Sequence, residues 1–112
     1  MILFFHDSGQ PVSDDLLAQV ATVAAGNRGL IEYVSYDLSK TTSIDEDGKV
    51  KVDTEALKKD ANRQKAVRFA RTIGVDHLPY IIIVDAKGNE IFWSRGFIDA
   101  KLLERQVQRV NN

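Results

Sequence analysis

The sequence predicts an α/β fold in which helices cover both faces of a mixed four-stranded β-sheet. Two short apolar runs, Met1 to Phe5 and Tyr80 to Val84, are typical of strands buried on both faces. Between them, apolar residues recur at helical spacing. The turn Lys87-Gly88-Asn89 joins the second run to a further strand, which indicates an antiparallel pair near the end of the chain.

The first half of the chain predicts a strand, a helix and a second strand. His6 to Pro11 is rich in turn residues, and Ser13 with the two aspartates after it predicts the start of a helix. This helix is expected to end between Gly26 and Gly29. Alternating β-forming residues predict the second strand from Leu30 to Leu38. Because a helix connects the two strands, we expect them to be parallel neighbours.

A polar insertion of about residues 39–54 precedes the next helix. Asp47-Gly48 is a favoured two-residue turn. Ile44 lies before this turn, and Val50 and Val52 follow it. The insertion is therefore expected to form a short hairpin on the surface.

The remaining sequence predicts a helix, a hairpin and a last helix. The long helix is expected from Glu55 to Ile73, and the strand Tyr80 to Val84 pairs with Glu90 to Ser94. Asp99 is a suitable cap for the last helix. Four apolar residues define its predicted buried side: Leu102, Leu103, Val107 and Val110. The predicted order is β-α-β-(hairpin-like insertion)-α-β-β-α.

Composition excludes several functional classes. The 112 residues are 44% hydrophobic and 28% charged, with a net charge of −1, so a single soluble domain over 1–112 is expected. That balance argues against a nucleic-acid partner, and no apolar run approaches the roughly 18 residues of a membrane span. The absence of cysteine excludes disulfides and thiolate chemistry. The compartment is left open, cytoplasmic or exported with a signal peptide removed.

Three features within residues 74–110 resemble the thioredoxin family. Gly74 to Val84 is similar to the family's glycine, a few residues, then a proline that follows a cis peptide bond and opens a buried strand; Pro79 stands at that place. Asp85 to Glu90 resembles the tight turn between the family's last two strands. Gly96-Phe97 resembles the glycine that lets this segment approach the family's active-site loop. The resemblance implies a thioredoxin-like three-layer α/β/α sandwich.

The chain departs from the family at its redox centre. The family's CxxC motif lies at the start of the first helix of this core, where this chain reads Ser8-Gly9-Gln10-Pro11-Val12. Either Ser8 or Gly9 stands at the first cysteine position, and neither provides a thiolate. The carboxylate that the family buries on its first strand is missing from Met1 to Phe5. The resemblance therefore implies a redox-inactive member, and no cofactor is expected.

The thioredoxin-like topology brings the start of the first helix, the segment before Pro79 and the segment after Gly96 to one end of the sheet. A residue before a cis-proline can leave its backbone N–H and C=O free, so that a partner peptide adds a strand there. This favours a binding or accessory module for a protein or peptide. The predicted groove residues are Ser8, Gly9, Gln10, Pro11, His77, Leu78, Pro79, Gly96 and Phe97.

Two alternatives use the same end of the sheet. One is a non-redox enzyme or a metal-dependent activity, with His6 or His77 as acid–base group or ligand, each beside an aspartate. Neighbours on a strand point in opposite directions, so at most one residue from each His–Asp pair reaches a shared ion, and no metal site is predicted. The contiguous residues His6, Asp7 and Ser8 cannot align as a catalytic triad. The other alternative is a substrate-binding subunit that pairs with a cysteine-bearing thioredoxin homologue.

Three further features are interpreted as structural. Trp93 on the last strand is expected to pack in the core. The partial match of residues 43–54 to a calcium-binding loop is interpreted as an acidic hairpin, because Thr54 stands where the loop requires an acid. The basic residues of the long helix are interpreted as a solvated face. The oligomeric state and the identity of the partner are left open.

Overall fold

The computed structural model describes residues 1–29 and 31–110. Four strands form one sheet in the order β2-β1-β5-β6, and two form a separate hairpin, β3-β4. The elements, in chain order, are β1 (Ile2–His6), α1 (Pro11–Gly26), β2 (Tyr33–Asp37), β3 (Thr42–Ile44), β4 (Val50–Val52), α2 (Thr54–Lys58), α3 (Ala61–Ile73), β5 (Tyr80–Val84), β6 (Glu90–Arg95) and α4 (Ala100–Val110).

The sheet is mixed, as the sequence predicts. β1 runs parallel to β2, with Phe5 opposite Tyr36, and antiparallel to β5, where Phe5 is opposite Tyr80. β5 and β6 form the predicted antiparallel hairpin. The predicted three-layer α/β class is therefore confirmed.

Side chains alternate between the two faces of the sheet and build two cores. Ile2 and Phe4 of β1 lie on one face, whereas Leu3 and Phe5 lie on the other. On the first face, α1 and α4 add the fully buried Leu16, Val20, Leu103 and Val107. On the second face, α3 adds Val67 and Ala70. Both faces of β1 and β5 are covered, which explains why these strands are continuous apolar runs.

The hairpin β3-β4 confirms the predicted turn but not its placement as a surface insertion. Ile44, Val50 and Val52 are only partly exposed and pack against the core on the α3 face of the sheet. Thr41, just before β3, is fully buried, and its Oγ1 donates to the Leu38 carbonyl at 3.0 Å. The hairpin is thus part of the layer that covers this face.

Helix α1 begins earlier than predicted, at Pro11 instead of Ser13. The fixed φ of proline suits the first helical position, where its missing N–H is not needed. Ser13 is buried inside the first turn, where it donates to the side chain of Gln10 and accepts from the N–H of Asp7. Ser13, the predicted cap residue, therefore lies inside the first turn and links the helix to the preceding loop by hydrogen bonds.

The predicted helix from Glu55 to Ile73 is two helices, α2 and α3, separated at Lys59 and Asp60. The Asp60 carboxylate accepts from the N–H of Arg63 at 3.1 Å and so caps α3. A capping residue in the middle of a helical pattern thus ends one helix and starts the next.

Three smaller expectations also change. Leu102 was expected on the buried side of α4 but is 39% exposed, and Trp93, expected in the core, is 49% exposed on β6. The second strand was predicted from Leu30, which lies outside the described residues, and β2 runs over Tyr33–Asp37. The predicted cap of α4 is present, since Asp99 Oδ1 accepts from the N–H of Lys101 at 2.7 Å.

Candidate functional site

A cleft of about 520 Å³ lies where the start of α1, the segment before β5 and the segment after β6 meet. The Leu78–Pro79 peptide bond at its floor is cis. Its lining includes six of the nine predicted groove residues: Gln10, from the loop before α1, and His77, Leu78, Pro79, Gly96 and Phe97. The cleft is also lined by Val12, Asp45, Glu46, Asp47, Gly48 and Arg95.

The other three predicted groove residues, Ser8, Gly9 and Pro11, do not line this cleft. Ser8 lies towards β2, where its hydroxyl donates to the Ser39 hydroxyl at 3.2 Å. Gly9 is exposed, and Pro11 opens α1. The structure therefore divides the predicted set between the cleft and the neighbouring loop.

The hairpin β3-β4 pairs with the backbone that precedes Pro79. Lys49 forms an antiparallel bridge with His77. The N–H of Val50 donates to the carbonyl of Asp76 at 2.8 Å, and the N–H of Leu78 donates to the carbonyl of Gly48 at 3.0 Å. The expectation that the residue before Pro79 leaves its backbone free for a partner is therefore wrong for the N–H of Leu78.

The carbonyl of Leu78 also has a partner within the chain. It accepts from Gln10 Nε2 at 3.4 Å, so the loop before α1 is held against the segment before β5. Oε1 of the same glutamine accepts from the Ser13 hydroxyl. Both polar atoms of the Gln10 amide are therefore hydrogen-bonded, the nitrogen to Leu78 and the oxygen to Ser13 of α1.

Apolar side chains on two sides of the cleft remain exposed. Phe97, after β6, is 52% exposed, and Val12, in the first turn of α1, is 40% exposed. Leu78 between them is buried. Large apolar groups that are exposed at the walls of a concave surface are typical of binding sites.

The turn of the hairpin gives the cleft an acidic wall formed by Asp45, Glu46 and Asp47. Asp45 Oδ1 accepts from the N–H groups of Asp47 and Lys49, each at 2.9 Å, which fixes the turn. Within the described part of the chain, the carboxylates of Glu46 and Asp47 form no ion pair. Sequence reasoning missed this wall, because nothing local to the turn shows which segment it lies against.

The two basic side chains of the cleft, those of His77 and Arg95, both contact one carboxylate. Asp76 Oδ1 lies 2.7 Å from His77 Nδ1 and 3.5 Å from Arg95 Nε. The hydrogen bond from His77 and the charges of His77 and Arg95 lower the pKa of Asp76. The Arg95 guanidinium also lies 5.3 Å from the ring centre of Trp93, which stacks on Tyr80.

A polar network holds the loop before α1 in place. Asp37 Oδ1, at the end of β2, accepts from the N–H of Ser8 at 3.2 Å and from the N–H of Ser39 at 3.0 Å. Burial alone would raise the pKa of Asp37, but these backbone donors and the two serine hydroxyls lower it to about 2. Arg63 bridges Asp37 and Asp60, with nitrogen–oxygen distances of 3.5 and 2.9 Å.

A carboxylate of the chain itself, that of Asp14, lies at the start of α1. The N–H of Gly9 donates to Asp14 Oδ1 at 3.4 Å. Asp14 lies in the first turn of the helix, where its negative charge already compensates the helix dipole. The geometry at this end therefore gives no support to binding of an external anion.

His6 lies in the core beside Phe4, with the two ring centres 5.1 Å apart. Its Nδ1 is buried and has no hydrogen-bond partner among the described residues. Burial lowers the pKa of His6, although the charges of Asp37, Asp14 and Asp7 raise it. The pKa of Asp7 is raised, mainly by burial and secondly by the charge of Asp37.

These positions bear on the metal and hydrolytic alternatives. Over residues 1–29 and 31–110, no group of three or more His, Asp or Glu side chains is arranged to hold a metal ion. His6 packs on Phe4, whereas His77 lies in the cleft beside the hairpin. The Ser8 hydroxyl donates to Ser39, so His6, Asp7 and Ser8 are not assembled as nucleophile, base and orienting acid.

A second, larger concavity of about 590 Å³ lies between α2 and α3. It shares no lining residue with the cleft. Its lining is Thr54, Leu57, Lys58, Gln64, Val67, Arg68, Arg71 and Thr72. None of the predicted groove residues contributes to it, so size alone does not mark the candidate site.

Comparison with known proteins defines the family. A family model described as a thioredoxin-like domain matches residues 1–111, and the chain belongs to this family. No curated protein matches the chain significantly. The predicted resemblance is therefore confirmed for the family, in a member that contains no cysteine.

Solved structures of the same fold are distant in sequence. Chloroplastic thioredoxin z is 16% identical, with a TM-score of 0.65, over 97% of this chain and 75% of that one. Thioredoxin 1 from Thermosipho africanus is also 16% identical, with a TM-score of 0.65, over 96% of this chain and 90% of that one. The dsbF protein of MTB is 19% identical, with a TM-score of 0.58, over 97% and 78%. At these identities the similarity shows the fold.

The described residues also bear on membrane association. Within residues 1–29 and 31–110, no helix combines the length and the apolar character needed to cross a bilayer. The longest helix in this described part of the chain, α1, has 16 residues.

Proposed function

We propose that this chain is a redox-inactive binding module of the thioredoxin-like family, which holds a polypeptide segment in the cleft around Pro79. The observation that carries the proposal is the exposure of two apolar side chains, Phe97 and Val12, in the lining of that cleft. Apolar side chains of this size are stabilised by burial, and a partner that covers them would supply it. The family's dithiol chemistry needs thiolates, which this chain cannot provide.

The cleft is suited to binding rather than to group transfer. The segments around Pro79 and Gly96 line a concave surface of about 520 Å³, which is within the range of ligand-binding clefts. The one imidazole in the cleft, that of His77, is hydrogen-bonded to Asp76 at 2.7 Å. No hydroxyl nucleophile lines the cleft beside it among the described residues.

The proposal can be tested by selecting peptide ligands and mapping where they bind. Peptides selected from a random display library on the wild-type chain would be titrated into isotope-labelled protein and followed by amide NMR shifts. We expect the largest shifts at Gly48, His77 and Phe97. Shifts confined to other surfaces, such as the concavity between α2 and α3, would refute the proposal.

A matched pair of variants separates the cleft from general surface stickiness. Phe97→Ser removes the exposed aromatic side chain of the cleft, and Leu102→Ser removes an exposed apolar side chain of α4 that does not line it. We expect Phe97→Ser to weaken binding at least about tenfold, as truncation of a central apolar anchor does. Leu102→Ser should bind like the wild type. Equal affinities for the two variants would contradict the proposed site.

A further inference from the structure

We infer that the segment held in the cleft is cationic, with an apolar anchor, and that it docks through its side chains instead of adding a strand beside Leu78. This inference rests on the proposed function. It comes from the hairpin β3-β4, which contributes both backbone partners and an acidic wall to the cleft.

The first step concerns the backbone. A strand added beside the segment before Pro79 would need the N–H of Leu78 and the carbonyl of Asp76. Both already pair with the hairpin, through the carbonyl of Gly48 and the N–H of Val50. The hairpin thus occupies the position that an added strand would take.

The second step is that the hairpin is anchored. Ile44, Val50 and Val52 pack against the core of this face. At its base, the N–H of Asp53 donates to the carbonyl of the buried Thr41 at 2.9 Å. Displacing the hairpin would expose these apolar groups to water, so a partner gains more by leaving it in place.

The third step is charge. Among the described residues, the cleft is lined by three acidic residues, at 45–47, and by the basic residues Arg95 and His77. Arg95 and His77 both face Asp76, a fourth carboxylate, which lies within 3.5 Å of each. An acidic segment would meet an excess of like charge, whereas lysine or arginine side chains would be attracted to Glu46 and Asp47.

The fourth step joins charge and apolar surface. Phe97 and Val12 would provide the contact for one apolar side chain, and the acidic wall belongs to the lining of the same cleft. Neither part alone defines a partner. Together they fit a segment in which one large apolar residue is flanked by basic residues, and this is the chemistry that we assign to the partner.

The test uses three fluorescent peptides of equal length on the intact chain. The first carries one phenylalanine flanked by lysines, the second the same phenylalanine flanked by glutamates, and the third the lysines with serine in place of phenylalanine. Fluorescence anisotropy would be measured at low and high salt. We expect tight binding of the first peptide alone, weakened by salt because the charges involved are exposed.

Charge reversal identifies the wall. Glu46→Lys combined with Asp47→Lys should weaken binding of the first peptide at least about fivefold, since two exposed ion pairs are lost and two like-charge pairs are gained. The control for charge reversal elsewhere is Glu55→Lys in α2, an exposed carboxylate outside the cleft that pairs with Lys58 at 3.4 Å. It should leave the affinity unchanged.

Exchange of the Val50 amide tests the docking mode. If the hairpin stays in place, protection of this N–H from solvent exchange is the same with and without the bound peptide. Loss of that protection on binding would show that the peptide displaces the hairpin and would overturn this part of the inference.

The outcomes separate the inference from the proposed function. Equal binding of the lysine and glutamate peptides, both lost in Phe97→Ser, would overturn the cationic assignment and leave the binding module standing. Binding of the lysine peptide that Phe97→Ser does not change would overturn both. Preference for the glutamate peptide, or no binding of any peptide, would also overturn the inference.

Discussion

The carboxylate of Asp37 is expected to stabilise the fold and to do so in a pH-dependent way. It accepts hydrogen bonds from the backbone of Ser8 and Ser39 and lies 3.5 Å from Arg63. Asp37→Asn keeps the shape of the side chain and removes its charge. Because the amide is neutral, the hydrogen bonds that remain are weaker than those to a carboxylate.

The magnitude follows from the pKa. A fall from 3.8 to about 2 on folding corresponds to a little over 2 kcal/mol at neutral pH by linkage, as an upper limit. The side chain of Asp37 is 32% exposed, so solvent screening reduces this value. We expect Asp37→Asn to lower the free energy of unfolding by about 1 to 1.5 kcal/mol at pH 7.

The sign of the pH effect is fixed by the direction of the shift. A carboxylate whose pKa is lowered on folding contributes fully above its unfolded pKa, and the contribution is lost as the pH falls through the folded pKa. The difference between wild type and Asp37→Asn should therefore be constant above about pH 5 and fall to a small fraction of that value near pH 2. Most other carboxylates titrate alike in the two proteins, so the difference reports Asp37 together with its effect on Asp7, whose pKa the charge of Asp37 raises.

Urea unfolding followed by circular dichroism, repeated from pH 7 down to pH 2, measures this difference. Asp47→Asn serves as a control, since that exposed carboxylate forms no ion pair in the described part of the chain and its loss should change stability by less than about 0.5 kcal/mol. A stability loss in Asp37→Asn that stays the same at every pH would refute the electrostatic reasoning.

Three further predictions concern the hairpin, α4 and the edge strand. Gly48→Ala should cost about 1 to 2 kcal/mol in urea unfolding and speed exchange of the Leu78 amide, because residue 48 has φ +85; an unchanged midpoint would contradict this. Leu103→Ala should lower the free energy of unfolding by about 2 to 5 kcal/mol and Leu102→Ala by under about 1, since only Leu103 is buried. Similar losses in the two variants would contradict the buried face assigned to α4. The fluorescence of Trp93 should be readily quenched by acrylamide in the folded protein, and a shielded indole would contradict its 49% exposure.

The fold was predictable because its strongest signals are local. The apolar runs of β1 and β5 are buried on both faces of the sheet, and this burial requires the continuous apolar sequence that identified them. The division of the long helix also had a local signal, since Asp60 is a preferred capping residue directly before Ala61. The prediction gave more weight to the continuous apolar stripe than to the capping residue. In the structure, however, the capping residue marks the start of a separate helix.

Burial at the margin of an apolar stripe was less predictable. Leu102 and Leu103 are adjacent leucines on α4, and the pattern of the sequence includes both. Only Leu103 points into the core, because successive residues on a helix lie about 100° apart and the sheet covers only part of the circumference. The width of the covered stripe depends on the neighbouring elements, which a local pattern does not contain.

The candidate site was also only partly predictable, because its lining comes from segments that are distant in sequence. The segments around Pro79 and Phe97 were predicted to meet, and both line the cleft. The acidic wall was missed because Gly48 and Leu78 are 30 positions apart in sequence, and their hydrogen bond depends on where the hairpin packs. The residues of a turn specify that a hairpin forms, but not which backbone it then pairs with.

The pairing of the hairpin with the Leu78 backbone affects how a cleft without cysteine could bind a peptide. Loss of the thiols alone would leave a site that binds an extended peptide by its backbone, with little selectivity for side chains. Under the proposed function, the N–H of Leu78 is committed to Gly48, so we expect a partner to be recognised by its side chains. The same hairpin contributes Glu46 and Asp47 to the lining of the cleft, so the element that occupies the backbone position would also supply the charges of the proposed selection.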